Sequence, residues 1–241
     1  LAVLLTKLQF MDKKTHPILL AGICLLFLGA CTGGNTEGQP AGSNPATADT
    51  TAANEKTDTR KNILFFGNSL TAAYGLDPAL GYVALLQQRL DSLDLPYRAI
   101  NAGLSGETTA GGRERLDWVL QQPVDIFVLE LGGNDALRGL DPSATYDNLA
   151  AIIQQVRTKY PEAKVVLAGM EAPPNMGPDY TAAFRKVYPR LAQELKTSLI
   201  PFFLAGVGGV PELNQEDRIH PNEKGQYVLL ENVWEVLAPL L

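Results

Sequence analysis

The sequence NILFFGNSLT, at residues 62–71 of the 241-residue chain, gives the clearest indication of the fold. Its run of apolar residues, ILFF, predicts a strand buried on both faces, the pattern of a parallel sheet. The strand is expected to stop at Gly67 and Asn68, because both residue types tolerate unusual backbone angles. We predict that Ser69 opens a short helical segment that runs to Ala73.

Ser69 lies where open α/β sheets bind ligands, at the carboxyl end of the first strand and near a helix N-terminus. Its hydroxyl is therefore a candidate nucleophile, and the N–H groups around it are candidate donors to an anion. The alternative is that Ser69 only caps the helix, as most serines in that position do. The choice depends on which other groups the chain brings to that edge of the sheet.

From residue 61 onward, apolar strand patterns alternate with amphipathic helix patterns, which indicates βαβ units and a parallel sheet. We predict strands at 63–67, 97–102, 126–130, 164–169 and 198–203, and helices at 81–93, 109–122, 143–159, 179–196 and 222–237. The predicted fold class is α/β: a three-layer α/β/α flavodoxin-like arrangement with a five-stranded parallel sheet, in the order 2-1-3-4-5. In that order the loops after strands one and three diverge and form a crevice.

Charge and composition narrow the classes of function. The formal net charge is −6, and an acidic chain is a poor candidate for binding nucleic acid, which depends on neutralising phosphates. The apolar fraction of 46% is typical of a chain with a packed core, and 241 residues suffice for one sizeable domain plus tails.

Residues 1–30 are typical of a signal peptide region rather than of a fold. Met11 begins a run with two lysines, and the apolar stretch at 18–28 is shorter than a membrane span. Residues 1–10 precede this methionine, and we expect them to reflect a non-Met start codon or an over-long gene prediction. The segment ends in LGAC, which resembles the bacterial lipobox, so Cys31 is the predicted lipidation site. The alternative is an ordinary signal peptide with an incidental cysteine.

Residues 31–60 predict a flexible linker, because they are rich in small and polar residues and contain hardly any large apolar ones. The expected product is an exported, membrane-anchored lipoprotein, periplasmic or on the cell surface, in the outer membrane where the cell has one. Both cysteines, Cys24 and Cys31, precede the domain at 61–241, so that domain has neither a disulfide nor a thiol nucleophile. A domain of this size is expected to be a monomer.

His220 is the only histidine outside the signal segment, since the other, His16, lies within it. A metal site built on histidines is thus excluded from the domain, and neither a metal nor a cofactor is expected. A lone histidine is more often structural or simply exposed. Asp217, however, precedes His220 by three residues on the same loop, and it can reach Nδ1, fix the tautomer and stabilise the imidazolium. With Ser69, the pair would supply a nucleophile, a base and an orienting carboxylate.

A serine that attacks a carbonyl also needs donors for the oxyanion that forms. The candidates are the backbone N–H groups of Ser69 and Gly106 and the side-chain amide of Asn134. Gly106 follows the second predicted strand and so falls at the carboxyl edge, although it also suits a plain turn. Asn134 follows two glycines and suits a turn equally well.

Four blocks resemble, in order, those of the SGNH/GDSL hydrolases: GNSL at 67–70, Gly106, GGND at 132–135 and DRIH at 217–220. The resemblance covers the chain from residue 61 onward and is nearest to the bacterial branch of multifunctional arylesterases, acyl-CoA thioesterases and lysophospholipases. It implies three catalytic residues, Ser69, Asp217 and His220, and an oxyanion hole formed by Ser69, Gly106 and Asn134.

The chain departs from this family at Asn68, where the family usually has Asp, so a neutral amide replaces a carboxylate beside the nucleophile. We place Asn68 among the substrate-binding residues, together with Pro173 and Pro174. These prolines belong to the loop 171–179, which we expect to form an apolar wall for the acyl chain. An α/β-hydrolase fold is less suitable, because GNSLT lacks the closing glycine of that fold's nucleophile elbow.

The resemblance therefore implies a serine esterase or thioesterase that hydrolyses carboxylic esters of small to medium acyl groups, with a small-molecule or lipid ester as its substrate. Two alternatives stay open at this point. One is a carbohydrate O-acetyl esterase acting on cell-surface glycans, and the other is a non-catalytic lipoprotein that binds a small ligand in the crevice. Asn68 is the one feature that favours the non-catalytic alternative.

Overall fold

Five parallel strands form one sheet in the order β2-β1-β3-β4-β5 in the computed structural model, which describes residues 59–241. The strands are β1 Lys61–Gly67, β2 Tyr97–Gly103, β3 Ile126–Glu130, β4 Lys164–Ala168 and β5 Ser198–Ile200. Every neighbouring pair is parallel. The predicted α/β fold class and strand order are confirmed.

Strand β1 occupies an interior position, with β2 on one side and β3 on the other. Its four central residues, Ile63, Leu64, Phe65 and Phe66, are all 0% exposed, as expected of a parallel strand covered on both faces. Its last residue, Gly67, pairs with the last residues of both neighbours. The ends of three strands therefore meet at one place on the carboxyl edge of the sheet.

Seven α-helices accompany the sheet in the described part of the chain: α1 Tyr82–Ser92, α2 Thr109–Val119, α3 Gly133–Leu137, α4 Pro142–Lys159, α5 Pro178–Arg185, α6 Val187–Leu195 and α7 Glu223–Leu237. Helix α1 packs against α7, whereas α2 packs against α4 and α4 against α6. Side-chain oxygens of Thr108, Asp141 and Asn222 accept backbone N–H groups at the starts of α2, α4 and α7.

Several elements differ from the sequence prediction. The predicted helix 179–196 is two helices, because Pro189 lacks an N–H and its ring would clash with the carbonyl one turn earlier. The predicted strand 198–203 ends at Ile200, since Pro201 cannot donate to the ladder. The helix predicted to begin at Ser69 is wrong: the chain forms consecutive turns there, and Ala73 adopts a left-handed φ of 55°. The short helix α3 was not predicted.

The predicted signal region 1–30, Cys31 and the linker as far as residue 58 lie outside the described residues. Within residues 59–241, the helices are too short or too polar to cross a membrane.

Candidate active site

Ser69, His220 and Asp217 form one hydrogen-bonded series. Oγ of Ser69 lies 2.9 Å from Nε2 of His220, and Nδ1 of His220 lies 2.6 Å from Oδ2 of Asp217. Because a carboxylate can only accept, Nδ1–H donates to Asp217 and Nε2 is left to accept the serine proton. The structure thus brings together the three residues for which the sequence predicts a catalytic role.

The loop before α7 carries the histidine and is held by its own hydrogen bonds. An antiparallel bridge joins Asn214 to Pro221, and the N–H of Gln215 donates to the carbonyl of His220 at 2.8 Å. Oδ1 of Asp217 accepts the N–H of His220 at 3.0 Å and that of the residue before it at 2.9 Å. The same carboxylate therefore orients the imidazole and shapes the backbone beneath it.

These bonds also change the charge state of Asp217. Desolvation raises the pKa of Asp217, but the hydrogen bonds from the ring and N–H of His220 and from the N–H of Ile219 outweigh it and lower the pKa to about 2. Asp217 is hence a carboxylate throughout the neutral range. That is the state in which it can stabilise a protonated imidazole.

Two further contacts join the histidine loop to the turn after β1. The ring of Tyr74 packs on the ring of His220, with centroids 4.6 Å apart. Nε2 of Gln215 donates to the carbonyls of Tyr74 at 2.7 Å and Pro221 at 3.2 Å. Neither Tyr74 nor Gln215 was predicted to belong to the site, because no local sequence pattern shows that these two segments meet.

Besides Ser69, the predicted oxyanion donors are Gly106, on the turn after β2, and Asn134, in the short helix α3 after β3. Gly106 is exposed with a φ of 80°, and a Cβ at this position would meet no atom within 4 Å, so its backbone is open on that side. Asn134 donates through Nδ2 to the carbonyl of Glu107 at 2.9 Å, and Arg138 donates to that of Gly106 at 2.9 Å. The Asn134 amide carries a second N–H that this bond does not use.

Short contacts link the segments after β1, β2 and β3 at the carboxyl edge of the sheet. The N–H of Leu104 donates to the carbonyl of Gly67 at 2.9 Å, which ties the turn after β2 to the end of β1. A Cβ on Gly133 would lie 3.9 Å from Nδ2 of Asn68, so the residue before Asn134 stands beside the turn that carries the serine. The segments that carry the predicted oxyanion donors therefore adjoin the turn that carries the predicted nucleophile.

Asp135 has a role that the sequence did not indicate. Its side chain is buried, and its carboxylate accepts from Thr109 through both the N–H, at 2.9 Å, and the hydroxyl, at 2.5 Å. A third donor, the hydroxyl of Thr145, lies 3.5 Å away. Asp135 thus joins the start of α2 to α3, and in doing so it fixes the turn of Gly106 relative to Asn134.

A second unpredicted carboxylate lies beneath the nucleophile. Glu130, the last residue of β3, is 0% exposed and accepts from Nδ2 of Asn68 at 2.7 Å. Oδ1 of Asn68 accepts the N–H of Leu70 at 3.0 Å. Both polar ends of the Asn68 side chain thus have partners inside the protein, and the predicted contact between Asn68 and substrate stays a prediction. The sequence does contain a signal for this buried carboxylate, because the otherwise apolar strand IFVLE ends in a glutamate.

The loop after β4 contains the two predicted acyl-pocket prolines. Pro173 is half-buried and Pro174 exposed, at the start of the 3₁₀ turn Pro174–Met176. Just beyond the loop, the hydroxyl of Tyr180 donates to the carbonyl of Leu140 at 2.7 Å, which anchors this region beside the segment after α3. Binding of an acyl chain by Pro173 and Pro174 stays a prediction. Across residues 59–241, no group of three or more His, Cys, Asp or Glu side chains is placed to hold a metal ion.

A profile of the GDSL-like Lipase/Acylhydrolase family matches residues 65–228, a span that includes both Ser69 and His220. The chain belongs to this family. Esterase TesA of Pseudomonas aeruginosa is 49% identical over 182 residues, which are 75% of this chain and 90% of that protein. The thioesterase 1/protease 1/lysophospholipase L1 of Escherichia coli strain K12 is 37% identical over 180 residues, 74% of this chain and 84% of that protein.

The fold of this GDSL-family chain also matches solved structures. A crystal structure of TesA has a TM-score of 0.72 at 49% identity and covers 75% of this chain and 100% of that one. Family, relatives and fold agree, so the resemblance seen in the four sequence blocks is confirmed and the chain is an ester hydrolase. The alternative of a non-catalytic ligand-binding lipoprotein is set aside.

Proposed function

We propose that this GDSL-family hydrolase cleaves its ester by a serine mechanism. Oγ of Ser69 attacks the acyl carbonyl carbon while Nε2 of His220 takes the hydroxyl proton, and the imidazolium then gives that proton to the leaving alcohol or thiol. Water attacks the acyl-serine by the same route, which releases the carboxylic acid and restores Ser69. The observation that carries this proposal is the hydrogen-bonded series from Ser69 through His220 to Asp217, at 2.9 and 2.6 Å.

The remaining site residues have supporting roles in this mechanism. Asp217 keeps the proton of the imidazole on Nδ1 and stabilises the imidazolium that forms. The N–H groups of Ser69 and Gly106 and the second N–H of the Asn134 amide bind the oxyanion. The bond from Asn134 to the carbonyl of Glu107 supports this role, because it holds the amide in one orientation in the free protein.

We propose carboxylic esters and thioesters of small to medium acyl groups as substrates, including lysophospholipids. The names of the two relatives, an esterase and a thioesterase/lysophospholipase, support this range. The acyl chain would lie toward the loop 171–179, and the leaving group toward Tyr74 and His220, since the imidazole must protonate the leaving atom.

The test is hydrolysis of p-nitrophenyl esters from acetate to palmitate by the purified protein, beside Ser69→Ala and His220→Ala. Ser105→Ala is the matched control, because Ser105 is an exposed serine next to Gly106. We expect both site variants to lose turnover and the control to keep it. Full activity in Ser69→Ala would refute the serine mechanism. Acetate release from acetylated glycans, without turnover of any longer ester, would instead support the O-acetyl esterase alternative.

We further propose that the chain is exported and anchored through a lipid on Cys31, with residues 31–60 as the linker. The sequence LGAC before the small, polar linker supports this. Expression with labelled palmitate should label the wild-type chain and place it in the membrane fraction, whereas Cys31→Ala should be unlabelled. Equal labelling of the two chains would contradict the proposal. Gel filtration of the Cys31→Ala chain is expected to give a monomer.

A further inference from the structure

The turn that carries Gly106 has little packing of its own to hold it. Residues 104–106 are all exposed, and a Cβ on Gly106 would meet no atom within 4 Å. The next residue, Glu107, is only 7% exposed. Apart from the bonds that Asn134 and Arg138 donate to its carbonyls, the position of the turn therefore depends on what holds its two ends.

Arg115 holds one end of this turn through an ion pair with Glu107. Nε of Arg115 lies 2.5 Å from one carboxylate oxygen and Nη2 lies 2.6 Å from the other, so two bonds join the planar groups. The side chain of Glu107 is 3% exposed and that of Arg115 is 19% exposed. A pair so removed from water adds little net stability compared with apolar side chains of similar size, so it needs a further explanation.

The same guanidinium also reaches the ends of two strands. Nη2 of Arg115 donates to the carbonyl of Ala102 at 2.8 Å and to that of Gly67 at 3.4 Å. Ala102 lies in β2 just before the turn, and Gly67 ends β1 two residues before Ser69. One side chain thus joins the segment of Gly106 to the segment of the nucleophile.

Helix α2 brings Arg115 to this place because it lies close against the sheet. A Cβ on Gly112, one turn earlier in α2, would lie 2.4 Å from Leu131 and 3.2 Å from the ring of Phe66, so the glycine permits this close approach. The guanidinium of Arg115 lies over the same ring, 4.3 Å from its centroid. The buried strand β1 therefore supports the arginine directly.

We propose that Arg115 is a positioning residue for the oxyanion hole, because it fixes the N–H of Gly106 relative to the N–H of Ser69. The inference rests on the proposed serine mechanism, in which these two N–H groups bind the oxyanion. Arg115 acts through other residues in this role. It holds Glu107, which follows one donor, and Gly67, which precedes the other by two residues.

The chemistry of the oxyanion hole explains why such a clamp matters. Both donors must point at the same atom before the reaction begins, because their value lies in being preorganised. A displacement of about 1 Å can lower the rate on the order of a hundredfold. Arginine suits this role because its rigid fork binds a carboxylate and neighbouring carbonyls at fixed angles, which the single ammonium of a lysine does not.

Arg115→Met removes the clamp in the full chain. We expect kcat for a p-nitrophenyl ester to fall on the order of tenfold to a hundredfold, because the two backbone donors are then no longer held together. KM should stay nearly unchanged, since the lost interaction is one made in the transition state.

The double variant Arg115→Met/Glu107→Met separates positioning from stability. Arg115→Met alone leaves the carboxylate of Glu107 buried and unpaired, which also destabilises the fold. Removing both charges relieves that penalty, and we expect the melting temperature to return close to that of wild type. We expect kcat to stay at least about tenfold below wild type, since the clamp is still missing. A purely structural role predicts that kcat recovers together with stability.

A transition-state analogue supplies a second readout. Ser69 adds to the carbonyl carbon of a trifluoromethyl ketone, its proton passes to His220, and the carbonyl oxygen becomes an oxyanion. In the double variant, the inhibition constant should rise by the factor by which kcat/KM falls. A sample that is merely part unfolded would lose kcat without any change in the inhibition constant.

Arg89→Met is the matched control. Arg89 also pairs with a glutamate, Glu231, and also lies over an aromatic ring, that of Trp234, 5.2 Å from its centroid. It belongs to the last turn of α1, which leads to the start of β2 and not to the carboxyl edge of the sheet. We expect this variant to keep kcat within about twofold of wild type, since exposed ion pairs contribute little.

Three results would overturn the proposal: a double variant with the stability and kcat of wild type, an inhibition constant unchanged while kcat falls, or an equal loss of kcat in Arg89→Met. Circular dichroism melts give the stability of each chain. Activity of Ser69→Ala, measured in parallel, would refute the serine mechanism itself whatever the Arg115 variants do, so the two failures are distinguishable.

Discussion

The turn that carries the nucleophile and the loop that carries the base are held in place by different kinds of contact. The turn at 67–71 is largely buried, and the glutamate that holds it is 62 residues away in the sequence. The loop at 214–222 is exposed at residues 216–219, and the residues of its network, Asp217 and His220 above all, are near neighbours in sequence. The nucleophile is thus positioned by the core and the base by local hydrogen bonds.

This difference has a consequence for variants. Because the base loop depends on its own hydrogen bonds, changes there should affect activity far more than stability. Changes beneath the nucleophile should affect both, since they alter a group buried in the core.

The largest expected effect is that of Asp217→Asn. The new amide would keep one oxygen for the backbone N–H groups but would donate to Nδ1, which forces the imidazole into the tautomer with its proton on Nε2. We expect kcat to fall about 10³- to 10⁴-fold, since the base then cannot accept the serine proton. Thermal melting should shift little. A large loss of stability would contradict the view that this loop is an independent, local structure.

Asn134→Ala should have the next largest effect. Loss of one oxyanion donor typically lowers kcat about 10²- to 10³-fold. Arg138→Ala is the comparison, because it removes the bond to the carbonyl of Gly106 without removing a proposed oxyanion donor. We expect this second variant to lose only several-fold in kcat, measured with the same ester. Equal losses of kcat in the two variants would show that Asn134 acts by holding the turn of Gly106 and not by binding the oxyanion.

The third prediction concerns the free energy of unfolding as a function of pH. Since the pKa of Glu130 is raised from 4.5 to about 7, the folded chain holds this proton more tightly than the unfolded chain does. Its contribution to stability is therefore complete below about pH 4.5 and is lost as the pH rises to about 7, a change on the order of 3 kcal/mol. Urea unfolding at several pH values measures it. Glu130→Gln should lack this component, and an identical pH dependence in both chains would exclude Glu130 as its source.

We expect the smallest effect from Gln215→Ala. This variant removes a side chain that links the loop of His220 to the turn after β1. Nε2 of Gln215 donates to the carbonyl of Tyr74 on one side and to that of Pro221 on the other. Its removal should cost about 1 kcal/mol of stability, the usual net value of a hydrogen bond. We expect kcat to fall several-fold with KM nearly unchanged. An unaltered kcat would show that the two regions keep their relative position without this bond.

The same contrast explains what could be predicted from the sequence. The pairing of Asp217 with His220 can be predicted because the two residues are three positions apart. The position of Ser69 can be predicted because this residue closely follows a strongly apolar strand. The strand order then brings the turns of Gly106 and Asn134 to the same edge, as parallel sheets require.

Contacts between distant residues could not be predicted in this way. The bond from Asn68 to Glu130 depends on the register of β1 against β3, and that from Asp135 to Thr109 depends on how α3 sits beside α2. The sequence after Ser69 suits a helix in composition, and nothing in it indicates the left-handed backbone that buried Ala73 adopts.

The most direct test of the serine mechanism is a covalent label. A p-nitrophenyl alkylphosphonate should react with an activated serine, release p-nitrophenol and leave a phosphonyl group on its oxygen. We predict one p-nitrophenol per chain, complete loss of esterase activity, and the added mass on the peptide that contains Ser69. Labelling of Ser105 instead, or full activity after the label is on Ser69, would contradict the account.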